Sequence, residues 1–142
     1  MTRPVLVVDT NVVVSGTIGS DPASPPARIL DAMLDGRLVY LMSGDLFTEY
    51  SEVLHRPAVS RLHRLSDDEV ARLLTVVAAN AMWRQTTTAA PAPDVGDNHL
   101  WALLASWPES RLVTGDRRLL DNPPRLGAVL TPREASGLIA LT

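Results

Sequence analysis

Pro4-Val-Leu-Val-Val-Asp9-Thr-Asn11 is the stretch that decides how this chain folds. Residues 4–8 are uninterruptedly apolar, three of them valine, and they stop at an acid. A strand in a sheet with one wet face alternates polar and apolar residues. A continuous run instead suits a central parallel strand covered on both faces. The acid then stands at the carboxyl end of that strand, where open parallel sheets place their sites.

Beyond this stretch, strand-like and helix-like segments alternate. Ser24-Pro-Pro opens a helix with proline near its first position. Ile29, Leu30, Met33 and Leu34 form its apolar stripe, and Gly36 ends it. Residues 37–42 read as a second strand, with Ser43 as N-cap of a helix ending near Arg56-Pro57. Ser66-Asp-Asp-Glu69 is a capping box, followed by Val70, Leu73, Leu74, Val77 and Ala81 at helical spacing. Residues 86–96 form a loop too short to separate domains. From Asp97 a helix carries Leu100, Leu103, Leu104 and Trp107 on one face. Residues 111–114 read as a strand, Thr114-Gly-Asp116 turns into a short helix, and residues 126–130 read as a last strand. Thr131-Pro-Arg-Glu134 caps a terminal helix. This alternation predicts a three-layer α/β/α sandwich around a central, mainly parallel sheet, in one domain over residues 1–142.

Composition narrows the function. The 46% apolar share and a mean hydropathy near zero describe an ordinary globular chain. No apolar run approaches the roughly 18–20 residues of a membrane span, and the first residues are too short in apolar character for a signal peptide. Cysteine is absent, which removes disulfides, thiolate zinc sites and cysteine nucleophiles. The expected location is cytoplasmic. A net charge of −3 argues against coating nucleic acid through bulk positive charge. It leaves room for an enzyme whose acids gather around a cation, which reverses the local sign.

Four acids fall where such a fold brings segments together. Asp9 follows the first strand, although Asp-Thr-Asn also suits an N-cap or turn. On the helix after Ser43, residues 46, 47, 50, 53 and 54 define the buried face. At roughly 100° per residue Glu49 lies on its flank, while Glu52 lies roughly 160° away, toward solvent. Asp97 begins the inward face of its helix, and equally fits a first-turn acid placed for the macrodipole. Asp116 in Thr-Gly-Asp has the same two readings, and Asp94 fits an N-cap or an outer acid. Carboxylates crowded together repel unless a cation sits among them. A hard divalent ion takes oxygen ligands, acidifies a bound water and stabilises a leaving oxygen, so no serine, cysteine or histidine nucleophile is required.

These residues resemble a known family. Val-Val-Asp9-Thr-Asn11-Val-Val-Val-Ser15 is similar to the opening motif of PIN-domain nucleases, and the stretch from Ser43 through Glu49 to Arg56-Pro57 to their second acidic helix. Pro93-Asp94-Val-Gly-Asp97-Asn98 resembles the third motif, and Leu-Val-Thr114-Gly-Asp116-Arg-Arg-Leu-Leu120 the fourth. The likeness runs from residue 5 to about residue 134. It implies metal ligands at Asp9, Glu49, Asp97 and Asp116, with Mg²⁺ or Mn²⁺ as cofactor and RNA as substrate. Asn11, Ser15, Asn98 and Thr114 would be supporting polar groups. Compact length and the Arg-Pro step resemble the toxin branch of toxin–antitoxin pairs, implying a small antitoxin partner and a homodimer. Val95-Gly96 departs from the pattern, where relatives often carry a further acid and a proline, and it leaves the role of Asp94 open.

Arg117 and Arg118 adjoin Asp116, and one of them is expected to contact phosphate. The basic stretch His55, Arg56, Arg61, His63 and Arg64 reads equally as a phosphate-binding or a solvated surface. His99, alone on its helix, is expected to be structural. Trp83, Trp101 and Trp107 are expected in the core or a dimer contact rather than as base-stacking platforms. A phosphotransferase with an aspartate nucleophile would want Asp-x-Asp, and position 11 is Asn. A silent domain that dimerises or captures a partner protein is the non-enzymatic alternative.

Overall fold

The computed structural model describes residues 3–87 and 90–140. Its centre is β1 (Val5–Val8), whose last three residues are buried on all sides, as the unbroken apolar run requires. β2 (Val39–Met42) and β4 (Arg111–Val113) pair with β1 on either side, Val5 opposite Val39 and Val8 opposite Val113. β3 (Met82–Trp83) and β5 (Val129–Leu130) form the edges. All pairings are parallel and the strand order is β3-β2-β1-β4-β5. The chain winds outward from β1 in one direction and then in the other, which makes the carboxyl ends of β1 and β4 the topological switch point.

Helices flank this sheet in the expected α/β/α sandwich. α1 (Thr10–Ile18) packs on α2 (Pro25–Leu34), and α2 in turn meets α8 (Pro132–Ala140). Gly16 makes the first contact possible, because a Cβ there would stand 2.9 Å from the Pro26 carbonyl oxygen and 3.0 Å from Leu30 Cβ. α3 (Gly44–Leu54) is capped by Ser43, whose hydroxyl accepts from the Leu46 amide. α5 (Asp67–Asn80) starts in the full capping box of Ser66 and Glu69. α6 (Asn98–Ser106) lies against β1 and β4, with Leu100, Trp101, Leu103 and Leu104 buried. A short α7 (Arg117–Asp121) follows β4. Among the described residues no helix is long and apolar enough to cross a membrane.

Four elements depart from the sequence reading. α1 forms from Thr-Asn-Val-Val-Val, β-branched residues with little helix preference, because Val12 and Val13 are buried in the core. Pro57 does not merely end α3; it starts α4 (Pro57–His63), occupying a first-turn position that needs no amide. β3 is a two-residue edge strand with exposed side chains, too short for any alternation to show. The last strand covers only 129–130 of the expected 126–130. Pro123-Pro124 precede it, Gly127 turns with φ +75°, and Leu126 is fully exposed.

Candidate active site

Asp9 leaves β1 and becomes the N-cap of α1, its backbone N–H still donating to Val113 O at 2.9 Å. The β1–β4 register thereby sets Asp9 beside Thr114, whose hydroxyl donates to Asp9 Oδ2 at 2.8 Å. Asn11 Nδ2 donates to the same oxygen at 3.0 Å and to Thr114 Oγ1 at 3.2 Å, and the Thr10 amide donates to Oδ1 at 2.8 Å. Asn11 Oδ1 accepts from the Gly115 amide, and Thr114 Oγ1 from the Asp116 amide, both at 3.0 Å. Residues 9–11 and 114–116 are thus one hydrogen-bonded unit across the two strands. Beneath it the wholly buried Tyr50 donates its hydroxyl to Val8 O.

This unit holds Asp9 only 5% exposed. Burial pushes its carboxyl from an ordinary 3.8 up to about 6, against the hydrogen bonds of Thr114 and Thr10, with the charges of Asp97 and Glu49 pushing the same way as burial. Asp97 closes the 3₁₀ turn Val95–Asp97 at the start of α6. Burial raises its carboxyl too, followed by the charges of Asp94, Asp116 and Glu49, with His99 opposing. Five carboxylates from four separate segments therefore feel one another at the end of the sheet.

Glu49 is half-buried on the flank of α3, and Glu52 is exposed, as helix geometry required. Both Glu49 oxygens have partners: the Thr10 hydroxyl donates to Oε1, and His99 Nε2 lies 3.3 Å from Oε2. These two partners escaped the sequence reading. In the sequence Thr10 reads only as part of a motif and His99 as a structural histidine. The available signal was adjacency, since Thr10 follows Asp9 and His99 stands two residues after Asp97.

Asp94 caps the 3₁₀ turn through the Gly96 amide at 2.9 Å. Arg118 spans Asp94 at 3.4 Å and Asp116 at 3.6 Å, while the Arg118 amide donates to Asp116 Oδ1. Arg117 points elsewhere, to Asp121 at 3.1 Å. Asn98 accepts from the Ala92 amide at 2.9 Å and so ties down the loop ahead of α6. Ser15 lies exposed one helical turn beyond Asn11. Away from the acids, His63 is buried between Leu54 O and the Leu65 amide, leaving the exposed arginines of that stretch to face solvent. Trp101 is core, Trp107 is covered by Arg84, and the half-exposed Trp83 meets Phe47.

The sequence profile of the PIN domain matches residues 5–118, most of the chain and all of the acidic segments just described. The chain belongs to the PIN-domain family. PIN domains share a nuclease-type fold, are generally hydrolases acting on nucleic acid, and typically use divalent metals. Comparisons with curated proteins and with solved structures returned no match. In this PIN domain the donor chemistry suits a hard cation, since every clustered acid offers carboxylate oxygen and two are held up partly by their neighbours' charge. Among the described residues, however, no three His, Asp or Glu side chains stand close enough to enclose one ion.

Proposed function

We propose that this PIN domain is a Mg²⁺- or Mn²⁺-dependent endoribonuclease whose ion sits among the carboxylates of Asp9, Glu49, Asp97 and Asp116, some of them reaching it through retained waters. The observation that carries this reading is the shared electrostatics of buried Asp9 with Asp97 and Glu49 at the β1/β4 switch point. A bound divalent ion supplies charge neutralisation at the phosphodiester and an acidified water. The chain's own residues do the rest. Thr114 and Asn11 hold Asp9 Oδ2, and the Thr10 amide holds Oδ1, so the carboxylate is oriented before any ligand arrives. Arg118, already between two acids with most of its side chain exposed, is placed to transfer to a substrate phosphate. The Arg56-Pro57 step between α3 and α4, which resembles the toxin branch of toxin–antitoxin pairs, supports a toxin role with a small antitoxin and a homodimer.

Purified protein should cleave RNA only with Mg²⁺ or Mn²⁺, leaving 5′-phosphate and 3′-hydroxyl ends. Undiminished cleavage by Asp9→Ala or Asp116→Ala would sink the ligand assignment. The spread of the acids favours one second reading, a silent PIN module that dimerises or binds a partner protein. Absence of both Mn²⁺ binding and cleavage, with an intact fold, would select it.

A further inference from the structure

We infer that Thr10 and His99 are positioning residues that clamp the two carboxylate oxygens of Glu49 and so prepare it for the divalent ion; the inference rests on the proposed metal site. Thr10 is 5% exposed and serves two acids at once. Its amide donates to Asp9 Oδ1 and its hydroxyl to Glu49 Oε1. His99 reaches the other oxygen of Glu49 from α6, two residues beyond Asp97. The acid of α3 is therefore tied to each of the segments that carry Asp9 and Asp97.

The surroundings of the His99 ring single out this contact. Its side chain is 14% exposed, and Nδ1 is buried with no hydrogen-bond partner among the described residues. Among the described residues, the interaction with Glu49 is thus the one polar bond that offsets burial of this imidazole. With its proton on Nε2 the ring donates to Oε2 and leaves Nδ1 as a bare lone pair, cheaper to bury than an unpaired N–H. Glutamate otherwise retains three freely rotating bonds, whose ordering would weigh against binding. Each clamped oxygen still has lone-pair capacity for one more partner.

The test is Mn²⁺ titration calorimetry on the full chain with the metal alone, alongside melting curves in EDTA. His99→Leu and Thr10→Val should each weaken Mn²⁺ about tenfold or more, in the range typical of lost supporting partners. His99→Gln and Thr10→Ser, which keep a donor, should restore most of the affinity at similar melting temperatures. Wild-type affinity in both His99→Leu and Thr10→Val would overturn the clamp while leaving the metal site standing. Equal weakening by the donor-keeping and donor-lacking variants, tracking a lower melting temperature, would reduce both residues to structural ones and also overturn it. No Mn²⁺ binding by the wild type would remove the metal site itself, and the clamp with it.

Discussion

Asp9→Asn should stabilise the metal-free protein at pH 8, even though it deletes the central acid of the site. Asp9 has a carboxyl raised from 3.8 to about 6 by burial and by neighbouring charge. Between those values the folded chain holds a proton that the unfolded chain has released, so stability falls as pH rises through the window. At 1.36 kcal/mol per pH unit, the buried charge costs about 3 kcal/mol above pH 7. Asparagine removes that cost but turns an amide N–H toward a site that meets Asn11 Nδ2 and the Thr114 hydroxyl, both donors to Oδ2. One lost hydrogen bond returns about 1–2 kcal/mol. The expected net is a gain of about 1–2 kcal/mol at pH 8, roughly 4 °C in Tm. At pH 5, where folded Asp9 is mostly protonated, the buried charge costs only about half as much and the gain should shrink to near zero. Urea unfolding in EDTA at pH 5 and pH 8 measures both values. Adding Mg²⁺ should then stabilise the wild type and not the variant. Equal destabilisation by Asp9→Asn at both pH values would show that the Asp9 charge is not costly in the folded chain.

Glu49→Gln should lower RNA cleavage on the order of a hundredfold, while Glu52→Gln, on the exposed face of the same helix, leaves it unchanged; single-turnover assays at saturating Mg²⁺ separate them. Arg118→Ala should raise KM for RNA and reduce the salt slope of binding by about 1, read by filter binding across salt concentrations. An unchanged slope would show that Arg118 meets no phosphate. Gly16→Ala should cost about 1–3 kcal/mol in denaturant unfolding, because the added methyl meets Leu30 and also the Pro26 carbonyl oxygen of α2, which cannot swing away.

The parts of the site that could be read directly from the chain were those set by local periodicity. Asp9 was legible because β1 is apolar on every position and stops at an acid, and strand ends are where such sheets open. Glu49 separated from Glu52 because both belong to one helix, and angle along a helix depends on spacing alone. The capping boxes at Ser66 and Thr131 formed as written, since each closes within four residues. α1 and α4 were not legible for the opposite reason. Three successive valines favour a strand locally, and Pro57 reads as a stop as readily as a start.

Local pattern alone therefore specifies the covered central strand, the α/β class and the places of the acids along the chain, but neither α1, α4 nor β3. Tertiary structure decided which of those acids share a field and what holds them. Thr10 and Glu49 are separated by 39 residues, His99 and Glu49 by 50, Thr114 and Asp9 by 105. Contacts over such separations depend on strand order and register, which the parallel pairing of β1 with β2 and β4 sets. The same burial that orders Asp9 makes its charge costly, and only the folded chain produces that burial.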